Sequence, residues 1–173
     1  MVDVAIAVTI LMLLAIIAIP QAINTMRAFR ASSDARNVAA QLALAKMRAA
    51  DGFTQSRLNC DFTANSCQLE MCTSKGASTC NTFTAEGGPL LLSQGMTFGF
   101  GSIAIPAGTQ ASIQNTAQIL FNSRSLPVDN TGAPTANYAL YLTDQSANTY
   151  AVTIYATGRI AVWRYGGGVW NIQ

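Results

Sequence analysis

The chain reads as an α+β protein in which one long N-terminal helix precedes a mostly antiparallel sheet. Three observations predict this. An apolar run from Val4 to Ile19 is interrupted only by Thr9; an alanine-rich, helix-periodic stretch continues to about residue 57; the rest turns to short β-branched and aromatic runs separated by turn residues. At 173 residues the length suits one domain with an appendage. Half of the residues are hydrophobic, a tenth are charged and the mean hydropathy is +0.28, which excludes a disordered, charge-rich polypeptide. Ten Lys/Arg against eight Asp/Glu give a formal net charge of +2, far below the basic footprint of a dedicated nucleic-acid binder. Histidine is absent, which removes Ser/His and Cys/His nucleophile pairs, His zinc sites and the usual proton shuttle. Any enzyme would have to run on scattered carboxylates, and no pair of them stands in a context suggesting acid–base work.

The first element, residues 1–23, reads as a transmembrane or filament-core helix. Val4 to Ile23 spans about 30 Å as a helix, the thickness of a bilayer core. Its start lacks the basic residues of a cleaved secretory signal. Asp3 sits at its beginning, where it is suited to capping the helix, and no further charge occurs until Arg27. Pro20 lies inside the helical pattern, removes one backbone donor and predicts a kink or local melting.

Residues 24–57 continue the helix as an amphipathic segment, with no Pro or Gly before Gly52. Ala35, Val38, Leu42, Ala45, Ala49 and Phe53 form an apolar stripe, while Arg27, Arg30, Asp34, Asn37, Gln41 and Arg48 fall largely on the opposite, solvated face. A helix over residues 1–57 would be about 85 Å long, more than a domain of this size can cover, so another chain must.

An acid, an apolar run, a proline and then a basic amphipathic helix resemble the N-terminus of type IV pilins and type II secretion pseudopilins. Aligning on Pro20 puts Asp3 on the family's glutamate, one methylene longer, and places upstream of Met1 about two mature residues and the basic leader cut by prepilin peptidase. The resemblance implies that Asp3 and Pro20 serve assembly, with Asp3 meeting the N-terminal ammonium of a neighbouring subunit. It implies the chain itself as partner in a helical polymer, the inner membrane as its lodging beforehand, and the prepilin peptidase and pilus assembly machinery as its handlers.

Residues 89–173 are expected to form the β head, with strands at Pro89–Leu92, Met96–Ile105, Ala117–Asn122, Tyr138–Thr143, Thr149–Ala156, Arg159–Tyr165 and Gly168–Ile172. Thr157-Gly158 makes a tight turn and Asp144 to Asn148 a longer one. Alternation through Tyr150, Val152 and Ile154, then Ile160, Val162 and Arg164, predicts one buried face. Gly99-Phe-Gly-Ser-Ile-Ala104 has the outline of a dinucleotide fingerprint, but Pro106 follows instead of a helix, which favours a bulge. Asp129, Asn130 and Asp144 lack calcium-loop spacing and read as turn residues. The run from Gln118 through the turn at Asp129–Gly132 to Tyr150–Ile160 resembles the head of the H-type minor pseudopilins and FimT-like pilins.

Residues 58–88 read as a cysteine-rich loop region. Cys60, Cys67, Cys72 and Cys80 contain no C-x-x-C pair, so two disulfides in an extracytoplasmic segment are favoured over a zinc ribbon or redox motif. Three connectivities are open, and pairing of neighbours, Cys60 with Cys67 and Cys72 with Cys80, is preferred. Oxidised cysteines put the head outside the cytoplasm, whereas positive-inside counting puts Arg27 and Arg30 within it; a basic leader resolves the conflict.

In the C-terminal hairpin, Arg159, Trp163 and Arg164, with Tyr165 and Trp170, combine guanidinium groups with stacking surfaces suited to nucleic acid. FimT-like pilins of DNA uptake carry a Gly-Arg-x-Arg stretch here, of which Ala161 replaces the second arginine; packing of the aromatics is the favoured role. The expected function is a structural, non-enzymatic subunit of a type IV pilus-like filament at the cell surface, with no metal or cofactor. The alternatives are a minor H-type pseudopilin of a type II secretion system in a periplasmic pseudopilus, a DNA-uptake pilin, and a single-pass anchored binding domain or enzyme.

Overall fold

The computed structural model describes residues 2–74, 79–144 and 148–173, and among residues 2–17 the side chains of Met12 and Ile16 alone. A single helix, α1 (Val2–Asp51), leads into strands β1 (Ser56–Asp61), β2 (Ser66–Cys72), β3 (Phe83–Ala85), β4 (Leu90–Leu91), β5 (Thr97–Phe98), β6 (Gln118–Phe121), β7 (Pro127–Val128), β8 (Tyr138–Thr143), β9 (Thr149–Ile154), β10 (Ile160–Gly166) and β11 (Val169–Ile172). They form two antiparallel sheets rather than the one expected: β3-β2-β1-β6-β7 with β4 also on β2, and β11-β10-β9-β8-β5. The arrangement is a pilin-like α+β fold.

The C-terminal half of α1 packs on both sheets. Ala31, Ala35, Val38, Leu42, Ala45 and Ala49 are wholly buried at spacings of three and four, against Leu58, Ile119, Phe121, Leu140, Leu142, Val152 and Ile154. Four of the six stripe residues are alanine, which lets the helix axis approach the strands closely while Leu42 and Val38 fill the space between.

The helix stops at Asp51, short of residue 57. Phe53 has left-handed φ of 47°, the Thr54 N–H donates to the Ala49 carbonyl and the Phe53 N–H to the Ala50 carbonyl, which is a Schellman cap. Phe53 is therefore exposed instead of extending the buried stripe. Asp34 also departs from expectation: it is buried, and its carboxylate accepts the Ser93 N–H (2.8 Å) and hydroxyl (2.9 Å), tying the helix to the β4–β5 connection. At Pro20 the helix runs on without melting.

The segment read as a cysteine-rich loop is a β-hairpin. Cys60 and Cys67 face each other across β1 and β2 and are bridged; Cys72 is bridged to Cys80. Both members of the first pair point into the core with Leu58 and Leu69, while the opposite face holds an Arg57–Glu70 ion pair, Asn59 and Gln118. The Arg57 guanidinium also stands 4.1 Å from the Phe83 ring centre.

The expected strand Met96–Ile105 is ordered as strand only at Thr97–Phe98. Beyond it the chain turns, with φ of 56° at Gly101, and crosses the outer face of the second sheet. Phe100, Ala107 and Ile113 there cover Ala139, Tyr141 and Ala151, so β9 is buried on both faces and not on one. The Tyr141 hydroxyl fastens this cover by donating to Gln110 Oε1 (2.6 Å) and accepting the Ala107 N–H (2.9 Å).

Asp129 and Asp144 close turns. Asp129 Oδ1 accepts the Thr131 hydroxyl and the N–H groups of Thr131 and Ala133, which hold its carboxyl below the usual range, the Thr131 hydroxyl first. Asp144 accepts from Asn148. Nearby, the Tyr138 hydroxyl donates to the Val128 carbonyl (2.6 Å), and burial, assisted by the Asp129 charge, pushes its pKa up to about 12. The unfolded phenol ionises near pH 10. Stability should therefore be full below pH 10 and fall as pH rises through about 12, and Tyr138→Phe should flatten that decline in a pH series of thermal melts.

At the β9–β10 turn, Gly158 has φ of 75°; a Cβ there would lie 2.5 Å from the Ser125 carbonyl oxygen and 3.3 Å from Lys46 Nζ, which itself donates to the Gly158 carbonyl. Gly158→Ala should cost about 1–3 kcal/mol from backbone strain alone, visible as a lower unfolding midpoint of the full chain.

Candidate functional site

The head covers α1 from Ala31 onward, and the described side chains N-terminal to it are exposed, Ala28 alone being partly covered. Met12, Ile16, Ile19, Ile23 and Met26 follow one another at steps of four and three and are all exposed, Ile16 at 68%. At 100° per residue they share one face, roughly 100° around the helix from the stripe that the head covers. Phe29, 76% exposed, lies still farther from that stripe. Arg27 and Arg30 are exposed among them and join no ion pair among the described residues. Past Pro20, the Thr25 hydroxyl donates to the Gln21 carbonyl at 2.9 Å, a local back-bond.

Asp3 falls within α1, but its side chain, like Met1, lies outside the described residues. Among the described residues no helix is long and apolar enough to cross a membrane. The run Val4–Ile19 that would do so consists mostly of residues whose side chains fall outside that description.

The C-terminal residues grouped in the sequence are separated by the pleat of β10. Trp163 turns to the outer face, where its indole N–H donates to Thr153 Oγ1 at 2.8 Å and its ring packs on the Tyr141 cluster. Trp170 joins it, donating to the Ile105 carbonyl, with ring centres 5.7 Å from Tyr141 and 5.1 Å from Tyr165. Arg164 is an exposed residue on the other face, in line with Ile160 and Val162. Arg159 lies in the preceding turn, its guanidinium 5.7 Å from the Tyr155 ring centre. Both tryptophans thus spend their N–H groups and ring faces inside the protein. The neck, Ala22 to Arg30, which the resemblance to pilins assigns to contact with neighbouring subunits or lipid headgroups, stands exposed, with Ala28 alone partly covered.

No protein-family model matches the chain, and no curated protein matches it. Among solved structures, the minor pseudopilin EpsH from the Type 2 Secretion System of Vibrio cholerae is similar, with a TM-score of 0.51 at 13% identity over 77% of this chain and 95% of that one. A crystal structure of the same pseudopilin gives a TM-score of 0.48 at 14% identity, over 77% and 92%. At this identity the likeness is one of fold: a long helix on antiparallel strands, arranged as in a pseudopilin.

Trp163→Ala should lower stability by roughly 2–3 kcal/mol, somewhat less than for a fully buried ring. Arg159→Gln and Arg164→Gln should leave the unfolding midpoint within about 0.5 kcal/mol of wild type. Equal losses in all three, measured by denaturant unfolding, would contradict this division between packing and surface.

Proposed function

We propose that this chain is a structural subunit of a pilin-like filament, held in a membrane by its N-terminal helix before assembly and packed among the same helices of sister subunits afterwards. The observation that carries this reading is the exposed apolar series from Met12 to Met26 on a helix that its own head begins to cover only at Ala31. Exposed to water, such a face is unfavourable by roughly 25 cal/mol per Å² of apolar surface; lipid and a bundle of equivalent helices both remove that cost, so burial persists through extraction.

Within this reading Asp3 guides register. A carboxylate is tolerable at the membrane boundary but costs about 2.5–3.5 kcal/mol at the centre of the bilayer, and the N-terminal ammonium of a neighbouring subunit offers it a partner as helices bundle. Pro20 marks a place where the helix carries one backbone hydrogen bond fewer and so can adjust as it packs. The two bridges suit a head facing an oxidising compartment, at the cell surface or in the periplasm.

A second reading, a minor pseudopilin near the tip of a secretion pseudopilus, is favoured by the likeness of the fold to EpsH. A major subunit would dominate purified filaments, whereas a minor one would be scarce in them.

Asp3→Ala should leave membrane insertion intact and lower the yield of sheared or pelleted filaments by tenfold or more, since removing one partner of a desolvated pair costs about 3–5 kcal/mol. Quantitative immunoblotting of membrane and filament fractions measures both. Unchanged filament yield with unchanged insertion would remove Asp3 from assembly.

A further inference from the structure

Between Asp3 and Asp34 the chain carries two charges, Arg27 and Arg30. Both are exposed and neither is ion-paired among the described residues. Asp34, the next acid along the helix, is turned into the head and committed to Ser93. The arginines are interleaved with the exposed side chains of Ile23, Met26 and Phe29. Ala22, Thr25, Met26, Phe29 and Arg30 line a shallow, open depression along this face of the helix. By helical arithmetic this depression faces roughly opposite the stripe Ala31–Ala49, so the chain's own head does not reach it.

An apolar floor with a guanidinium on its rim matches an acyl chain joined to a phosphate. The axial position matches as well. If Val4 to Ile23 fills the hydrocarbon core, Arg27 stands about 6 Å and Arg30 about 10 Å beyond its boundary, the depth of the headgroup layer and its outer edge. Aromatic and cationic side chains collect at that depth in membrane proteins generally.

We infer that Ala22–Arg30 is a collar for anionic phospholipid, with the phosphate on Arg30, the acyl chain along Met26 and Phe29, and Arg27, on the neighbouring face at headgroup depth, adding to the attraction for anionic headgroups. The collar rests on the membrane-anchored reading of the helix, and it fixes how deep the unassembled subunit sits. Because the head begins at Ala31, one residue beyond the second arginine, the same contact holds the head directly above the lipid surface.

The test uses the full chain, diluted from detergent into an equal mixture of phosphatidylcholine vesicles and density-labelled vesicles of phosphatidylcholine with phosphatidylglycerol, then separated by flotation. Two arginines at the surface should give a preference for the anionic vesicles on the order of 30-fold at low salt. High salt should shrink it. The double variant Arg27→Gln/Arg30→Gln should bring it to near parity, while Arg124→Gln, an exposed cation on the head, should leave it intact. Parity for the wild-type chain, or a preference that survives in the double variant, overturns the collar and leaves anchoring untouched. A double variant that keeps the preference but assembles poorly assigns the arginines to a neighbouring subunit and likewise overturns it. Failure to enter either kind of vesicle overturns the collar and the anchored reading together. Thermal melts of both variants check that the head is folded.

Discussion

The dependence of everything else on one packing contact is visible in the stripe Ala31, Ala35, Val38, Leu42, Ala45 and Ala49. These side chains bring the last five turns of a fifty-residue helix against two sheets, and among the described residues none N-terminal to Ala31 is buried by the head. At 1.5 Å per residue the whole helix is about 75 Å long, of which the covered part is about 30 Å. The uncovered length is therefore a property of the fold, and its apolar side chains fix the kind of surroundings it requires.

The covered part is secured at several separate points. The Schellman cap at Phe53 stops the helix so that Ser56 can enter β1 with its hydroxyl on the Ala45 carbonyl. Asp34 holds the near end through Ser93, and Lys46 holds the middle through the Gly158 carbonyl. The bridge between β1 and β2 stiffens the hairpin that flanks the helix. The Asp34 and Lys46 contacts join residues distant in the chain and the others fix the end of the helix and the hairpin beside it, so the head fixes the direction in which the free half of the helix leaves it. For a subunit that has to pack among copies of itself, a rigid exit is useful: bending at the neck would spread the register that Asp3 is proposed to set.

Much of this was legible in the residues because its physical signals are periodic. The stripe from Ala35 to Ala49 stands out at 3.6 residues per turn, and β8 is a run of six strand-forming residues that the structure reproduces to the residue. What stayed hidden was set by distant contacts. β1 and β2 look like a polar loop because Arg57, Asn59, Gln68 and Glu70 hold hydrogen bonds and charges on the outer face, and the buried positions are taken partly by cysteines. The cover over Tyr141 needs Phe100, Ala107 and Ile113 to arrive from a segment rich in Gly and Pro with no period of its own. Phe53 in a left-handed cap and Asp34 inside the head both contradict residue preference, and only Ser93 and the cap geometry explain them. At the neck the length of the helix already implied that the head would leave part of it bare; where the cover begins, at Ala31, took the structure to show.

The most direct measurement is the sedimentation of the intact, processed chain as detergent is withdrawn, with hydrogen exchange followed over residues 12–49. The account predicts that the chain stays dispersed only while micelle or lipid covers residues 12–30, and otherwise passes into large assemblies in which those amides become protected. A monodisperse, water-soluble monomer with residues 12–30 protected without any covering partner would contradict it.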